Sequence, residues 1–252
     1  MASPPALGSW WGLLRSLVVY RRPGRQRGLR RFYSPFVTPG ALVFDVGAHL
    51  GDRAEAFAAL GARVVALEPQ PVILEWLRRL TAGRPGITVL GEAVGRSPGT
   101  ARLAVSSRSP TVSTLADGWR AAIPARNPSF RRVRWEEGVE VPVTTLDALI
   151  RRFGLPAFCK IDVEGYEAEV LEGLSVPIPA LSAEFVAGGL EVALACIRRL
   201  ERLGVYRYNA VAGEARTFLF PEWVEGAVME RWLASGAAGV PSGDLYARLS
   251  SL

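Results

Sequence analysis

ALVFDVGAHLGDRAEAFAALGARVVALEP, residues 41 to 69, reads as a strand, a glycine turn, a helix and a second strand. Ala41 to Val46 is an almost unbroken apolar run, the mark of a parallel strand covered on both faces. The run stops at Gly47, and Gly47 and Gly51 allow the turn backbone angles and a ligand approach that a Cβ would hinder. Asp52, with Glu55 three residues on, resembles a capping box, so the spacing predicts a helix from about Asp52 that ends at Gly61. Arg63 to Leu67 is the second strand, and it delivers Glu68 to its carboxyl end, 21 positions beyond Gly47. An acidic residue at about that distance from a glycine turn accepts the ribose hydroxyls of a bound nucleoside.

The turn narrows the ligand. Dinucleotide folds use G-x-G-x-x-G, whose middle glycine lets the backbone press against a pyrophosphate; here that place holds His49. A side chain there disfavours NAD or FAD and suits a nucleoside without a pyrophosphate, such as S-adenosylmethionine. Further out, Val72 to Thr81 carries a helical apolar stripe and Ile87 to Leu90 is a third strand. The loop Gly91-Glu-Ala-Val-Gly95 would then border the adenine, with Glu92 placed to accept from its amino group. Arg102 to Val105 and Val139 to Val143 alternate as strands, and Thr144 or Thr145 is placed to cap a helix through Leu146, Leu149 and Ile150. Between these strands, Ser106 to Gly138 loses all periodicity, which inside a compact domain marks a functional or a disordered segment. Its recurring aromatic and apolar residues favour a partly ordered lid. Arg108, Arg120, Arg126, Arg131, Arg132 and Arg134 would either greet an acidic acceptor or form a solvated face.

Pro156-Ala-Phe-Cys-Lys-Ile-Asp-Val-Glu-Gly-Tyr-Glu167 is the second informative stretch. Ala157 to Ile161 reads as a fourth parallel strand, so Asp162 falls at its carboxyl end, where open α/β sheets place their ligands. Of 30 basic residues 29 are arginine, and the one lysine, Lys160, lies in this stretch while the one histidine, His49, lies in the first turn. Unless chance put them there, both suit chemistry that arginine cannot supply. Glu184 closes the apolar run from Pro179 to Phe185. Asp162, Glu164 or His49 could take the proton of an alcohol; Asp162, helped by Glu164, is the first choice. Glu164 could instead be a first-turn residue matched to a helix dipole. Asp162, Glu164 and Glu184 together could hold Mg²⁺, although no metal is expected to be required.

Phe44-Asp-Val-Gly-Ala-His-Leu-Gly51, Glu68-Pro69, Ala93-Val-Gly95, Thr145-Leu-Asp147 and Lys160-Ile-Asp-Val-Glu-Gly165 stand in an order that resembles the FkbM family of S-adenosylmethionine-dependent methyltransferases, over roughly residues 40 to 220. The resemblance implies a Rossmann-like class I α/β fold: a mostly parallel sheet flanked by helices, with a C-terminal antiparallel pair. It also implies O-methylation of a hydroxyl on a small molecule of sugar or natural-product type. By position it implies that Asp45, Gly47, Ala48, His49, Gly51, Glu68, Pro69, Glu92, Ala93 and Val94 hold the cofactor. Asp162 and Glu164 would lie between cofactor and acceptor. The family often has Asn where His49 stands.

At 252 residues and 49% hydrophobic content, the chain suits one domain with decorations. Cys159 and Cys196 have neither metal nor disulfide-framework spacing, which implies a reducing compartment. With no apolar run of membrane-spanning length and no signal-peptide pattern, a cytoplasmic location is expected, with attachment to a membrane surface as an option. The net charge is +6, but seven arginines precede the first acid, Asp45, and the remainder holds 23 basic against 24 acidic residues. The basic excess therefore belongs to an arm, and no DNA partner is expected. Residues 1–38 read as a basic, aromatic, helical arm, of which 9–31 could rest on anionic lipid, or pack on its own domain or on a sister subunit of a homo-oligomer. The methyltransferase domain is expected over 39–235, with 106–138 as the lid and 236–252 as a weakly specified tail. Val205 to Val211 and Ala215 to Phe220 are expected to pair around Ala212-Gly-Glu214, and Trp223 to Leu233 to form a last helix. Two other readings stay open: RNA or protein methylation using the arm, and a non-catalytic, membrane-associated nucleoside-binding module.

Overall fold

A computed structural model of the chain describes residues 24–106 and 112–250. Helix α1 (Arg25–Tyr33) is followed by β1 (Leu42–Val46), α2 (Asp52–Ala59), β2 (Arg63–Leu67), α3 (Pro71–Thr81) and β3 (Ile87–Leu90). Next come β4 (Ala93–Val94), β5 (Gly99–Val105), α4 (Asp117–Arg126), β6 (Glu137–Thr144), α5 (Leu146–Phe153), β7 (Phe158–Ile161) and α6 (Glu167–Glu172). The chain ends with β8 (Ala180–Val186), α7 (Leu190–Glu201), β9 (Tyr206–Ala212), β10 (Val224–Glu225), α8 (Gly226–Ala234) and β11 (Ser242–Leu249).

The main sheet has the order β10-β9-β11-β8-β7-β1-β2-β3, and β4-β6-β5 form a smaller one. Strands β3, β2, β1, β7 and β8 are parallel, whereas β11 runs antiparallel to both β8 and β9. From β1 the chain winds outward in two directions, to β2 and β3 on one side and to β7 and β8 on the other. The β1/β7 junction is thus the topological switch point, where the loops at the strand ends part to form a crevice. Alternation along the strands feeds two cores. Phe44, Val46, Cys159 and Ile161 point into one, with α5, α6 and α7. Val43 and Phe158 point into the other, with Leu29 and Tyr33 of α1 and Phe57 of α2.

Several expectations are corrected. The supposed capping box is not formed: the residue before α2 is Gly51, with a left-handed φ of 82°, and no side chain caps the helix. The Asp52 carboxylate instead accepts from Arg25 at 2.7 Å and from Arg53 at 3.2 Å. The segment 215–220 is not a strand. Asn209 ties it down by side chain, accepting from the Phe220 N–H at 3.1 Å and donating to its carbonyl at 2.9 Å. Strand β9 pairs instead with the short β10 and, along its length, with β11, from the segment expected to be a tail. Its Gly and Asp make Ser242–Leu249 read as a loop, but Gly243 is needed, because a Cβ there would lie 2.0 Å from the Val211 carbonyl oxygen. Leu245, Tyr246 and Ala247 are fully buried.

Residues 25–37 of the arm pack on their own domain, with the Tyr33 ring edge-on to Phe57 at 4.7 Å. Residues 1–23, and with them most of the segment expected to meet lipid, lie outside the described residues. The expected lid contains α4 and a 3-10 turn, Pro128–Phe130. Its arginines 120 and 126 pair with the exposed acids Asp117 and Glu191, each at 2.9 Å, as a solvated face does. Arg108 lies outside the described residues.

Candidate active site

At the switch point the loop after β1 presses against the loop after β7. The Asp162 N–H donates to the Val46 carbonyl at 3.0 Å, and Gly47, at φ 81°, sits so close that a Cβ would lie 1.8 Å from the Asp162 carbonyl oxygen. This contact is the physical reason for glycine at the first turn position. His49 also has a left-handed φ, 50°, which costs a histidine or asparagine less than most side chains. The choice between those two residues is therefore explained by the backbone before any chemistry is invoked. Gly51 serves packing: a Cβ there would meet Leu77 of α3 at 2.6 Å.

An open cleft of about 1050 Å³, counted out to its mouth, runs along these loops. Of the residues expected to hold a ligand, Gly47, His49, Glu68, Pro69, Glu92, Ala93, Val94, Asp162 and Glu164 line it. Asp45, Ala48, Gly51 and Lys160 do not line it and lie behind its wall. Glu68 accepts from the His49 N–H at 3.0 Å and the Gln70 N–H at 2.9 Å. Burial pushes its pKa up to about 7 against these two donors. Each oxygen keeps a lone pair for a further donor, which suits the two hydroxyls of a ribose. Glu92 also faces Arg152, at 3.9 Å.

Behind the wall, register sets Asp45 beside Lys160, and Lys160 beside Ser182. Lys160 is 1% exposed, and its Nζ donates to Asp162 Oδ2 at 2.6 Å. Burial works against both charges, yet each partner holds the other ionised: Lys160 is raised and Asp162 lowered. Both Asp45 oxygens are buried without a hydrogen-bond partner among the described residues. Burial lifts this carboxyl to about 6, and the Lys160 charge opposes the rise. Burial also lowers His49 to about 4, so its imidazole is neutral near pH 7.

Asp162, Glu164 and Glu184 bring carboxylate oxygens within 4.8 Å of one another on the cleft wall. Glu164 is not in the first turn of a helix. Its φ is 55°, its carbonyl accepts from Thr114 Oγ1 at 2.7 Å, and α6 begins only at Glu167. Burial, followed by the Asp162 charge, holds Glu164 and Glu184 well above the ordinary carboxyl range. Such a trio could take a cation, although Lys160 already supplies one to Asp162. Glu167 was missed by sequence reasoning. Its Oε1 accepts from the N–H groups of Val163 and Gly165, at 3.0 and 3.3 Å, and so fixes the loop that carries Glu164. The spacing from Asp162 to Glu167, an acid opening the next helix, is the signal that could have found it.

Residues 45–184 match the family described as the methyltransferase FkbM domain. The chain belongs to the FkbM methyltransferase family. It is thus an S-adenosylmethionine-dependent methyltransferase domain by family. Solved structures similar to this FkbM chain include precorrin-6y C5,15-methyltransferase from Geobacter metallireducens (13% identity, 90% of this chain and 87% of that one, TM-score 0.47). An rRNA methylase from Streptococcus thermophilus is similar at 10% identity, over 88% of this chain and 94% of that one, with a TM-score of 0.45. An S-adenosylmethionine-dependent O-methyltransferase from Thermotoga maritima is similar at 9% identity, over 91% and 66%, with a TM-score of 0.41. A comparison with curated proteins gave no match. No helix among the described residues is long and apolar enough to cross a membrane.

Proposed function

We propose that this domain transfers the methyl group of S-adenosylmethionine to a hydroxyl of a small acceptor. The observation that carries the reading is the trio Asp162, Glu164 and Glu184 on the cleft wall, two of whose members are held well above the ordinary carboxyl range. The cofactor residues fit their group: an acid at the end of β2 for the ribose, a turn without a Cβ at Gly47, and a carboxylate wall for a positive charge. When bound, the cofactor supplies an electrophilic methyl on a sulfonium. Glu68 would hold the ribose, Glu92 and the Ala93-Val94 loop would border the adenine, and the Gly47 turn would leave room for the amino-acid end. Lys160 keeps Asp162 ionised and oriented.

A general base works best with a pKa near the working pH. The ion pair with Lys160 lowers Asp162 and weakens it as a base, and burial lowers His49 to about 4, whereas burial and the Asp162 charge raise the proton affinity of Glu164 and Glu184. We therefore assign the acceptor's proton to Glu184 or Glu164, and to Asp162 the orientation of the reacting groups. Holding the oxygen in line with the methyl is worth up to ~7–11 kcal/mol in favourable cases. The cleft lining favours a small acceptor over RNA. It carries six carboxyl groups, Glu68, Glu92, Asp162, Glu164, Glu184 and Glu214, against one guanidinium, Arg53, which already pairs with Asp52 and Glu214, so the lining offers no cluster of cations to a phosphate backbone. The test is transfer of labelled methyl from S-adenosylmethionine to a panel of hydroxylated small molecules by the intact protein, Glu184→Gln and Glu164→Gln. Turnover on at least one alcohol, reduced about 10²-fold or more in one variant with cofactor affinity kept, supports the reading. Transfer to RNA or protein alone refutes it.

A further inference from the structure

The charge distribution along the cleft is lopsided. Among the described residues that line it, Arg53 carries the only arginine or lysine side chain, against six carboxyl groups. The guanidinium is built into place. Arg53 is the second residue of α2, and its Nη1 donates to Asp52 at 3.2 Å. Its Nη2 donates to both oxygens of Glu214, at 3.1 and 3.0 Å. Its Nε is buried without a hydrogen-bond partner among the described residues. Arg25 of α1 supports the same pair, reaching Asp52 at 2.7 Å and Glu214 at 3.1 Å. The Arg53 side chain is 15% exposed, whereas Glu214 is 53% exposed and belongs to the turn after β9.

We infer that Arg53, backed by Arg25, is the subsite for the α-carboxylate of the cofactor's methionine moiety, and that Glu214 is the displaceable carboxylate standing in for it. This inference rests on the cofactor reading above. A ligand that brings a sulfonium, an ammonium and a carboxylate into this cleft has one cation to meet. Its two positive groups are drawn to the Asp162, Glu164 and Glu184 wall, and its carboxylate to Arg53. A guanidinium takes a carboxylate through charge-assisted hydrogen bonds, and Arg53 Nη2 already holds both oxygens of Glu214 in this way. Because Glu214 is exposed, its ion pair contributes little and can be given up to an incoming carboxylate. Asp52 is buried and stays, so the guanidinium keeps its orientation after the exchange.

The test uses two probes that differ only beyond the adenosyl sulfur: S-adenosylhomocysteine, with the amino acid, and 5′-methylthioadenosine, without it. Calorimetry on the full chain should show the intact protein binding both, with S-adenosylhomocysteine the tighter. Arg53→Met should weaken S-adenosylhomocysteine about 10- to 100-fold and leave 5′-methylthioadenosine unchanged. Arg53→Lys, which keeps a buried cation and guards against misfolding, should fall between. Glu214→Gln should tighten S-adenosylhomocysteine and not the truncated probe. The inference is overturned if Arg53→Met and Arg53→Lys bind S-adenosylhomocysteine as the intact protein does, or lose both probes equally. It is equally overturned if Glu214→Gln binds S-adenosylhomocysteine no tighter. Should the intact protein bind neither probe, the cofactor reading itself fails, a result distinct from all of these.

Discussion

Replacing Lys160 with Met keeps the length of the side chain and removes its charge. Lys160 is fully buried, and its ammonium, 2.6 Å from Asp162, stands in register with Asp45. Without it, two buried or half-buried carboxylates face each other and the Glu164 and Glu184 pair with no lysine between them. Breaking a buried ion pair by removing one partner costs ~3–5 kcal/mol. Asp162 is 29% exposed, so water softens the loss and the expected value is near the lower end, about 3 kcal/mol. In a chain of this size that lowers the melting temperature by roughly 6–12 °C. The sign of the pH dependence follows from the direction of each shift. Asp162 is lowered in the intact protein, so its contribution is present above the ordinary carboxyl range and fades as pH falls through its folded value. In Lys160→Met the orphaned carboxyls rise instead, and a raised acid destabilises increasingly as pH climbs past its unfolded value. The deficit of the variant should therefore widen from about pH 4 to pH 8. Thermal melts across that range, with Lys160→Met/Asp162→Asn as a partial rescue, measure it. A deficit of the same size at pH 5 and pH 8, unrelieved by the second change, would refute the electrostatic argument and leave only lost packing.

Gly47→Ala should be destabilised by more than about 1 kcal/mol, since the new Cβ meets the Asp162 carbonyl oxygen at a left-handed φ, and denaturant melts would reveal it. The affinity for S-adenosylhomocysteine should rise about tenfold between pH 6 and pH 8 as Glu68, held up to about 7, loses its proton and becomes the better acceptor. Glu68→Gln should flatten that part of the profile in calorimetric titrations. Glu167→Ala should lower turnover by removing the acceptor of the Val163 and Gly165 N–H groups that holds the Glu164 loop. Its cofactor affinity, measured alongside, should stay close to that of the intact protein.

The first unit of the fold was legible because its signals are local. The apolar run of β1, the glycine at its end and the acid 21 positions on all lie within 29 residues. The β7 stretch was legible for the same reason. What escaped depends on distance along the chain or on three-dimensional approach. Ser242–Leu249 reads as a tail because its glycine answers to a carbonyl of β9. The Ala215–Phe220 pairing was suggested by a turn signal, yet the Asn209 side chain takes up the backbone groups of Phe220. Arg53 and Glu214 are 161 positions apart, so no periodicity could join them at one cleft. Position in a motif suggested that Asp45 and Gly51 touch the ligand. Alternation instead turns Asp45 toward Lys160, and helix packing accounts for Gly51.

The claim at the centre of this account is that Glu68 holds the ribose of an adenosyl ligand in the cleft between β1 and β7. Titration of the full chain with S-adenosylhomocysteine, intact and as Glu68→Ala, tests it directly. Saturable one-to-one binding by the intact protein, weakened about 10- to 100-fold in the variant through the lost charge-assisted hydrogen bonds, is the expected result. An intact protein that does not bind, or a variant that binds equally well, would contradict it.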